Sequence, residues 1–304
     1  MTSAMPATPT PAGRPLVPAE RVAAAPISWG VCEVPGWGHQ LAADRVLGEM
    51  RDLGITATEF GPDGFLPAGP VERSALLGWY GLRPVGGFVP LVLHDPGHDP
   101  LPDLARALDS FGDARTVVLA AATGLDGYDG RPVLDGENWA ALLRNLGRAA
   151  EHAAGRGHLA TLHPHVGTVV ERREEVDRVL SGSDVALCLD TGHLLIGGTD
   201  PLELARSAAG RIAHVHLKDV DAALAEAVQT GRTGYTAAVR DGIYRPLGRG
   251  DIDVPGIVRA LEGAGYGGWY VLEQDTVLSA EPGQGGGPRD DVRAALAFLR
   301  GEAA

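Results

Sequence analysis

Eight short apolar or β-branched runs alternate with longer segments of helical period, and this alternation restricts the fold more than any other feature. The runs are "VAAAPISWG", "TATEF", "RPVGGFV", "RTVVLAA", "HLATLH", "VALCLD", "RIAHVHL" and "GWYVLEQ". Between the first two, "LAADRVLGEMRDLG" places Leu41, Val46, Leu47, Met50 and Leu53 on one helical face. Further on, "NWAALLRNLGRAAEHAAGRG" has helical period and ends in glycine. Glycines and prolines mark nearly every junction. Strands that alternate with helices form a parallel sheet. Eight such units in about 275 residues match a single-domain (β/α)8 TIM barrel, typically ~250 residues. A doubly wound open sheet would need a glycine fingerprint after its first strand, and "SWGVCEVPGWG" lacks the GxGxxG spacing. "GQGGGP" near residue 285 reads as a flexible loop. The expected organisation is a disordered Pro/Ala/Thr-rich tail over 1–23, without the apolar core of a signal peptide. A barrel over 24–304 follows, with an insertion at about 220–250.

Charge and cysteine usage exclude several partners. A net charge of −13 with no basic stripe argues against nucleic acid and anionic membrane. No apolar run approaches the ~20 residues of a membrane span. The two cysteines, Cys32 and Cys188, form no CxxC, which speaks against a thiolate zinc site and suits a reducing cytoplasm.

The strand ends carry the chemistry. His163 ends the fifth run, Asp190 the sixth, His214 and His216 the seventh, and Glu273 the eighth. His163 and Asp190 are 27 residues apart and Asp190 and His216 are 26 apart, each close to one βα unit. The 57 residues from His216 to Glu273 leave room for the insertion. C-terminal strand ends of a barrel converge on one mouth, so two imidazoles and two carboxylates surround one point. Buried carboxylates need a cation or a proton between them. Mixed nitrogen and oxygen donors suit Mn²⁺, Co²⁺, Zn²⁺ or Fe²⁺ better than Ca²⁺. Taken singly, each residue also has a plain reading; Asp190, for instance, could simply cap "TGHLL".

"LHPHVGTVVE", "CLDTGHLLIGGTDP", "RIAHVHLKDV" and "GYGGWYVLEQD", with "APISWG", "ATEFGPDGFLP" and "YRPLGRGDIDVPGIVRALEGAGYGGW", resemble the xylose-isomerase-like sugar isomerase/epimerase superfamily. Within it they most resemble the inosose dehydratases of inositol catabolism. The resemblance covers about residues 24–300. It implies one divalent metal, Mn²⁺ or Co²⁺ first and Zn²⁺ or Fe²⁺ next, held by His163, Asp190, His216 and Glu273. It also implies substrate contacts at His193 and Glu59. Ketose 3-epimerases of the superfamily carry a glutamate at the position of His163 and an arginine at that of Ala222; both are absent here. The implied reaction is dehydration of a keto-inositol (2-keto-myo-inositol) to a cyclohexane-dione through an enediolate. The alternative is isomerisation or epimerisation of a keto-inositol or ketose. Endonuclease IV shares the fold, but it needs a multi-zinc cluster and a basic DNA face. A non-catalytic sugar-binding barrel would not need four convergent ligands.

Glu273 is the expected base, with His193, His165 and Lys218 as choices for the acid. His165, Lys218, Asp219, Arg249 and Tyr244 are placed near a small polyhydroxy ketone. Trp29 is either a wall under its ring or ordinary core. His214 is read as structural, in the layer opposite His216. His94, His98, Asp126 and Asp129 read as loop residues, and assembly into a homo-oligomer is left open.

Overall fold

The computed structural model describes residues 15–283 and 286–302. Ten strands occur in this part of the chain: β1 (Val22–Ala24), β2 (Ala57–Glu59), β3 (Arg83–Leu91), β4 (Thr116–Ala121), β5 (Leu159–Leu162), β6 (Ala186–Asp190), β7 (Ile212–Leu217), β8 (Asp219–Val220), β9 (Tyr244–Arg245) and β10 (Tyr270–Leu272). β1 to β7 pair in sequence order, and β10 closes the ring between β7 and β1. All eight barrel pairings are parallel. Each of the eight apolar runs contributes one barrel strand, so the (β/α)8 expectation holds.

The helices form where the sequence signals them. Ala43–Asp52 buries Val46, Leu47 and Met50. Gly136–Gly155 starts at a capping box, in which Asp135 accepts from Asn138 N (2.9 Å) and Asn138 Oδ1 accepts from Asp135 N (3.3 Å). β4 is buried along its whole length, as befits a strand with the barrel interior on one side and helices on the other.

The proposed tail boundary is too late. Residues 1–14 lie outside the described part, but Leu16 N donates to Leu299 O (2.8 Å), Val17 is buried and β1 begins at Val22. Leu16 and Val17 are the apolar exception in a Pro/Ala/Thr-rich stretch, and both join the main core, with Leu16 bonded to the end of the last helix, Pro288–Leu299. The "GQGGGP" loop lies partly outside the described residues.

The insertion comprises helices Ala222–Gln229 and Tyr235–Arg240 between β8 and β9, which pair as an antiparallel ribbon. Asp219 fixes the loop that leaves this ribbon. Its Oδ2 accepts from Gly248 N (2.8 Å) and Gly250 N (3.0 Å), and its Oδ1 from Ile252 N (3.1 Å). Gly250 is required here, since a Cβ would lie 2.3 Å from Asp219 Oδ1. Asp219 is therefore committed to backbone rather than placed for substrate, which corrects its expected role. Asp219→Ala should cost at least about 1–3 kcal/mol, because it strands four N–H donors, that of Val220 included. An unchanged urea midpoint would contradict this.

Candidate active site

Four of the strand ends converge as the spacing requires. Asp190 closes β6, and its two oxygens face different ways. Oδ1 accepts from Gly192 N (2.9 Å) and His193 N (2.8 Å), capping helix Thr191–Ile196. Oδ2 faces His163 Nε2 (3.2 Å), His216 Nδ1 (3.5 Å) and Lys218 Nζ (3.6 Å). The capping reading and the ligand reading thus apply to the same carboxylate. Gly192 allows the helix start to approach β7: a Cβ there would meet Lys218 Cβ at 2.8 Å. Glu273 follows β10, with Oε2 at 2.8 Å from His216 Nδ1 and 3.0 Å from Lys218 Nζ.

A deeper layer orients His216. Glu59 Oε1, at the end of β2, accepts from His216 Nε2 (3.0 Å) and His214 Nε2 (2.7 Å). This turns His216 Nδ1 toward Asp190 and Glu273, the arrangement by which a carboxylate sets the tautomer of a ligating histidine. It also corrects two expectations. Glu59 is engaged beneath the cluster rather than toward substrate. His214 and His216, two apart in one strand, share the barrel interior one layer apart instead of opposing each other.

Lys218 is the cationic centre. It is fully buried, contacts Asp275, and has its Nζ 3.2 Å from His193 Nε2. Asp275 Oδ2 accepts from Tyr235 OH (2.7 Å), and Tyr235 OH lies 2.9 Å from Tyr244 OH. Tyr244 OH is in turn 3.4 Å from His193 Nδ1. His165 stacks on His193 with ring centroids 3.7 Å apart, and its Nδ1 donates to Val166 O (2.6 Å). Tyr235 and Tyr244 come from the insertion, and with Trp37, Val166 and Val239 they form an apolar cluster covering this end of the barrel.

Two predicted contacts do not reach the cluster. Trp29 is fully buried in the main core, where its Nε1 donates to Glu49 Oε2 (2.9 Å) on helix Ala43–Asp52. The 3-10 turn Pro26–Trp29 carries the indole away from the mouth, which decides for ordinary core. Arg249 is exposed on the loop after β9, where its charge acts on Asp291. Asp275 and Tyr235 were not singled out from the sequence. Asp275 had a signal, lying two residues after Glu273 at the end of the same strand; Tyr235, inside an irregular insertion, had none.

The electrostatics follow from burial and pairing. Burial pushes the imidazolium forms of His163 and His165 down to about 4 and that of His193 well below its ordinary value. Burial also opposes charge on Glu273, but His216 and Lys218 outweigh it and bring the carboxyl down to about 2. Burial opposes a charged His216 as well, yet the carboxylates of Glu273 and Glu59 hold it well above its ordinary value. Burial raises Asp275, with Lys218 pulling the other way.

Among the described residues, His163 Nδ1 is buried without a hydrogen-bond partner, and the only close partners of Glu273 Oε2 are the cationic His216 Nδ1 (2.8 Å) and Lys218 Nζ (3.0 Å). One donor atom from each of Asp190, His216 and Glu273 lies within 4.8 Å of the other two, and the same holds for His163, Asp190 and His193. Unsatisfied buried donors and acceptors are rare and costly. A divalent cation among them would give His163 a partner and offset the charges of Asp190 and Glu273, so these residues fit a metal.

A closed parallel barrel with an acid–imidazole–lysine cluster at the C-terminal ends of its strands defines a TIM-barrel enzyme. The chain belongs to the xylose isomerase-like TIM barrel family, whose profile it matches over residues 93–302. Among curated relatives it is 36% identical to the rhizopine catabolism protein MocC of Rhizobium meliloti, over 87% of this chain and 84% of that protein. It is 33% identical to the inosose dehydratase of Geobacillus kaustophilus (strain HTA426), over 84% and 87%. Among solved structures it resembles a zinc-bound IOLI protein (TM-score 0.64, 14% identity, 92% and 97% coverage). It also resembles an L-ribulose 3-epimerase (TM-score 0.63, 18% identity, 92% and 93% coverage). The chain is an enzyme of dehydratase-like or isomerase/epimerase type. Among the described residues no helix is long and apolar enough to cross a membrane.

Proposed function

We propose that this enzyme is a metal-dependent hydro-lyase that removes water from a keto-inositol, 2-keto-myo-inositol in the first instance, to give a cyclohexane-dione. The observation that carries this reading is the convergence of His163, Asp190, His216 and Glu273 on one point beside a buried ammonium, with His163 Nδ1 buried and unpartnered. His163, Asp190, His216 and Glu273 would hold the cation, Mn²⁺ or Co²⁺ in preference to Zn²⁺ or Fe²⁺. When bound, it would stabilise negative charge developing on the substrate's ketone oxygen.

The protein's own groups perform the remaining steps. Glu273, kept ionised by His216 and Lys218, takes the proton beside the carbonyl. Lys218, kept protonated by Asp190, Asp275 and Glu273 against its burial, gives a proton to the departing β-hydroxyl, which leaves as water, and regains one from Glu273, 3.0 Å away. Neutral His193, 3.2 Å from Lys218, and His165 stacked on it form the adjoining wall. The covering cluster with Tyr235 and Tyr244 excludes water, which strengthens each of these interactions. The imidazole at His163 supports dehydration over 3-epimerisation, since the glutamate that ketose 3-epimerases carry at that position for a second proton transfer is missing. The identities to inosose dehydratases and MocC agree with an inositol-type substrate. Two free cysteines suit a cytoplasmic setting.

Mass analysis of the product after incubation with Mn²⁺ and 2-keto-myo-inositol tests the reading. Loss of one water supports it, and a product isobaric with the substrate contradicts it.

Cation binding should also carry a pH signature. Metal-free His216 is protonated at neutral pH and must be neutral to ligate, whereas His163, at about 4, is already neutral. Cation binding is therefore expected to release about one proton and to tighten as pH rises from 6 to 8. Calorimetry in buffers of different ionisation enthalpy measures this, and a buffer-independent heat would contradict it.

A further inference from the structure

We propose that Cys188 completes a second, inner donor set with His163 and His216, one that takes a thiophilic cation such as zinc or cadmium in competition with the oxygen-rich site above it. This rests on the reading that the strand-end cluster holds a metal. Cys188 lies in β6 two residues before Asp190, so both side chains face the barrel interior. The register pairs Cys188 with His214 and Asp190 with His216, which puts the thiol one layer below the carboxylate. One donor atom from each of His163, Cys188 and His216 lies within 4.8 Å of the other two, and all three residues are buried.

An independent observation points the same way. His163 Nδ1, on one of the two imidazoles that the inner and outer sets share, is buried and has no hydrogen-bond partner. A cysteine that merely filled apolar space would need no such neighbours. Thiolate donors favour zinc and softer ions, while carboxylate donors favour manganese. On binding, a metal–sulfur bond forms, the S–H bond breaks and the proton leaves to solvent, with no change of oxidation state. Because the two sets share both histidines, a cation in the inner set withdraws them from Asp190 and Glu273. Which metal is present would then decide where it sits, and zinc or cadmium would inhibit.

The test uses the full-length protein carrying Cys32→Ser, which leaves Cys188 as its one thiol. Metal is stripped and Cd²⁺ added while thiolate-to-cadmium charge-transfer absorption is followed. The band is expected to grow and saturate. A further Cys188→Ser change should abolish it and weaken Cd²⁺ binding by about tenfold or more, with Mn²⁺ affinity unchanged. Cys188→Ala serves as a second variant if serine impairs folding, and the Cys32→Ser spectrum alone already discriminates. Tight Cd²⁺ binding without the band overturns the inner set and leaves the outer site standing. Absence of binding by both Cd²⁺ and Mn²⁺ overturns the two together.

Discussion

Glu273→Gln is expected to lower turnover by about 10²–10⁴-fold, the usual contribution of a positioned base. The substitution keeps the size of the side chain and removes its charge, and it acts at the most exposed member of the cluster. Glu273 is held ionised by His216 and Lys218, with Oε2 at 2.8 Å and 3.0 Å from them. The loss should fall mainly on kcat, together with weaker metal binding. Turnover within a few-fold of the parent would remove Glu273 from the base role. A parallel circular dichroism spectrum separates a chemical effect from misfolding.

Lys218→Met should have the largest effect on stability. Lys218 is surrounded by Asp190 (3.6 Å), Glu273 (3.0 Å) and Asp275, all in the buried cluster. Removing the ammonium leaves three carboxylates facing one another without water. Breaking a buried pair from one side typically costs about 3–5 kcal/mol. Urea unfolding of the metal-free protein reads this directly, and saturating Mn²⁺ should recover part of the loss by neutralising Asp190 and Glu273. A metal-free midpoint equal to the parent's would show that the ammonium is not what offsets these charges.

The architecture was legible because it rests on periodicity, which a barrel imposes throughout the chain. His163, Asp190 and His216 could be read as one cluster because a βα unit has a nearly fixed length, so residues about 26 apart return to the same rim, and Glu273 joins them by ending the last apolar run. Direction was harder to read. Asp219 looks like a neighbour of Lys218 in sequence, yet consecutive strand residues face opposite sides, and Asp219 turns to the backbone of residues 248–252. Trp29 ends the first run, but a 3-10 turn there redirects the indole to Glu49. The partnership of Glu59 with His214 and His216 spans 155 and 157 residues and depends on barrel closure, which no local pattern encodes. Tyr235 was invisible for a related reason: the insertion has no barrel period, and only packing brings its hydroxyl to Asp275.

Proton NMR of the purified enzyme with Mn²⁺ and 2-keto-myo-inositol in D₂O tests the central claim most directly. The ring signals should give way to those of a cyclohexane-dione, with net loss of one water, and chelation of the metal should stop the conversion. Deuterium entering the ring without loss of water, or a new ketone isomer, would contradict dehydration and make this barrel an isomerase or epimerase of the same substrate.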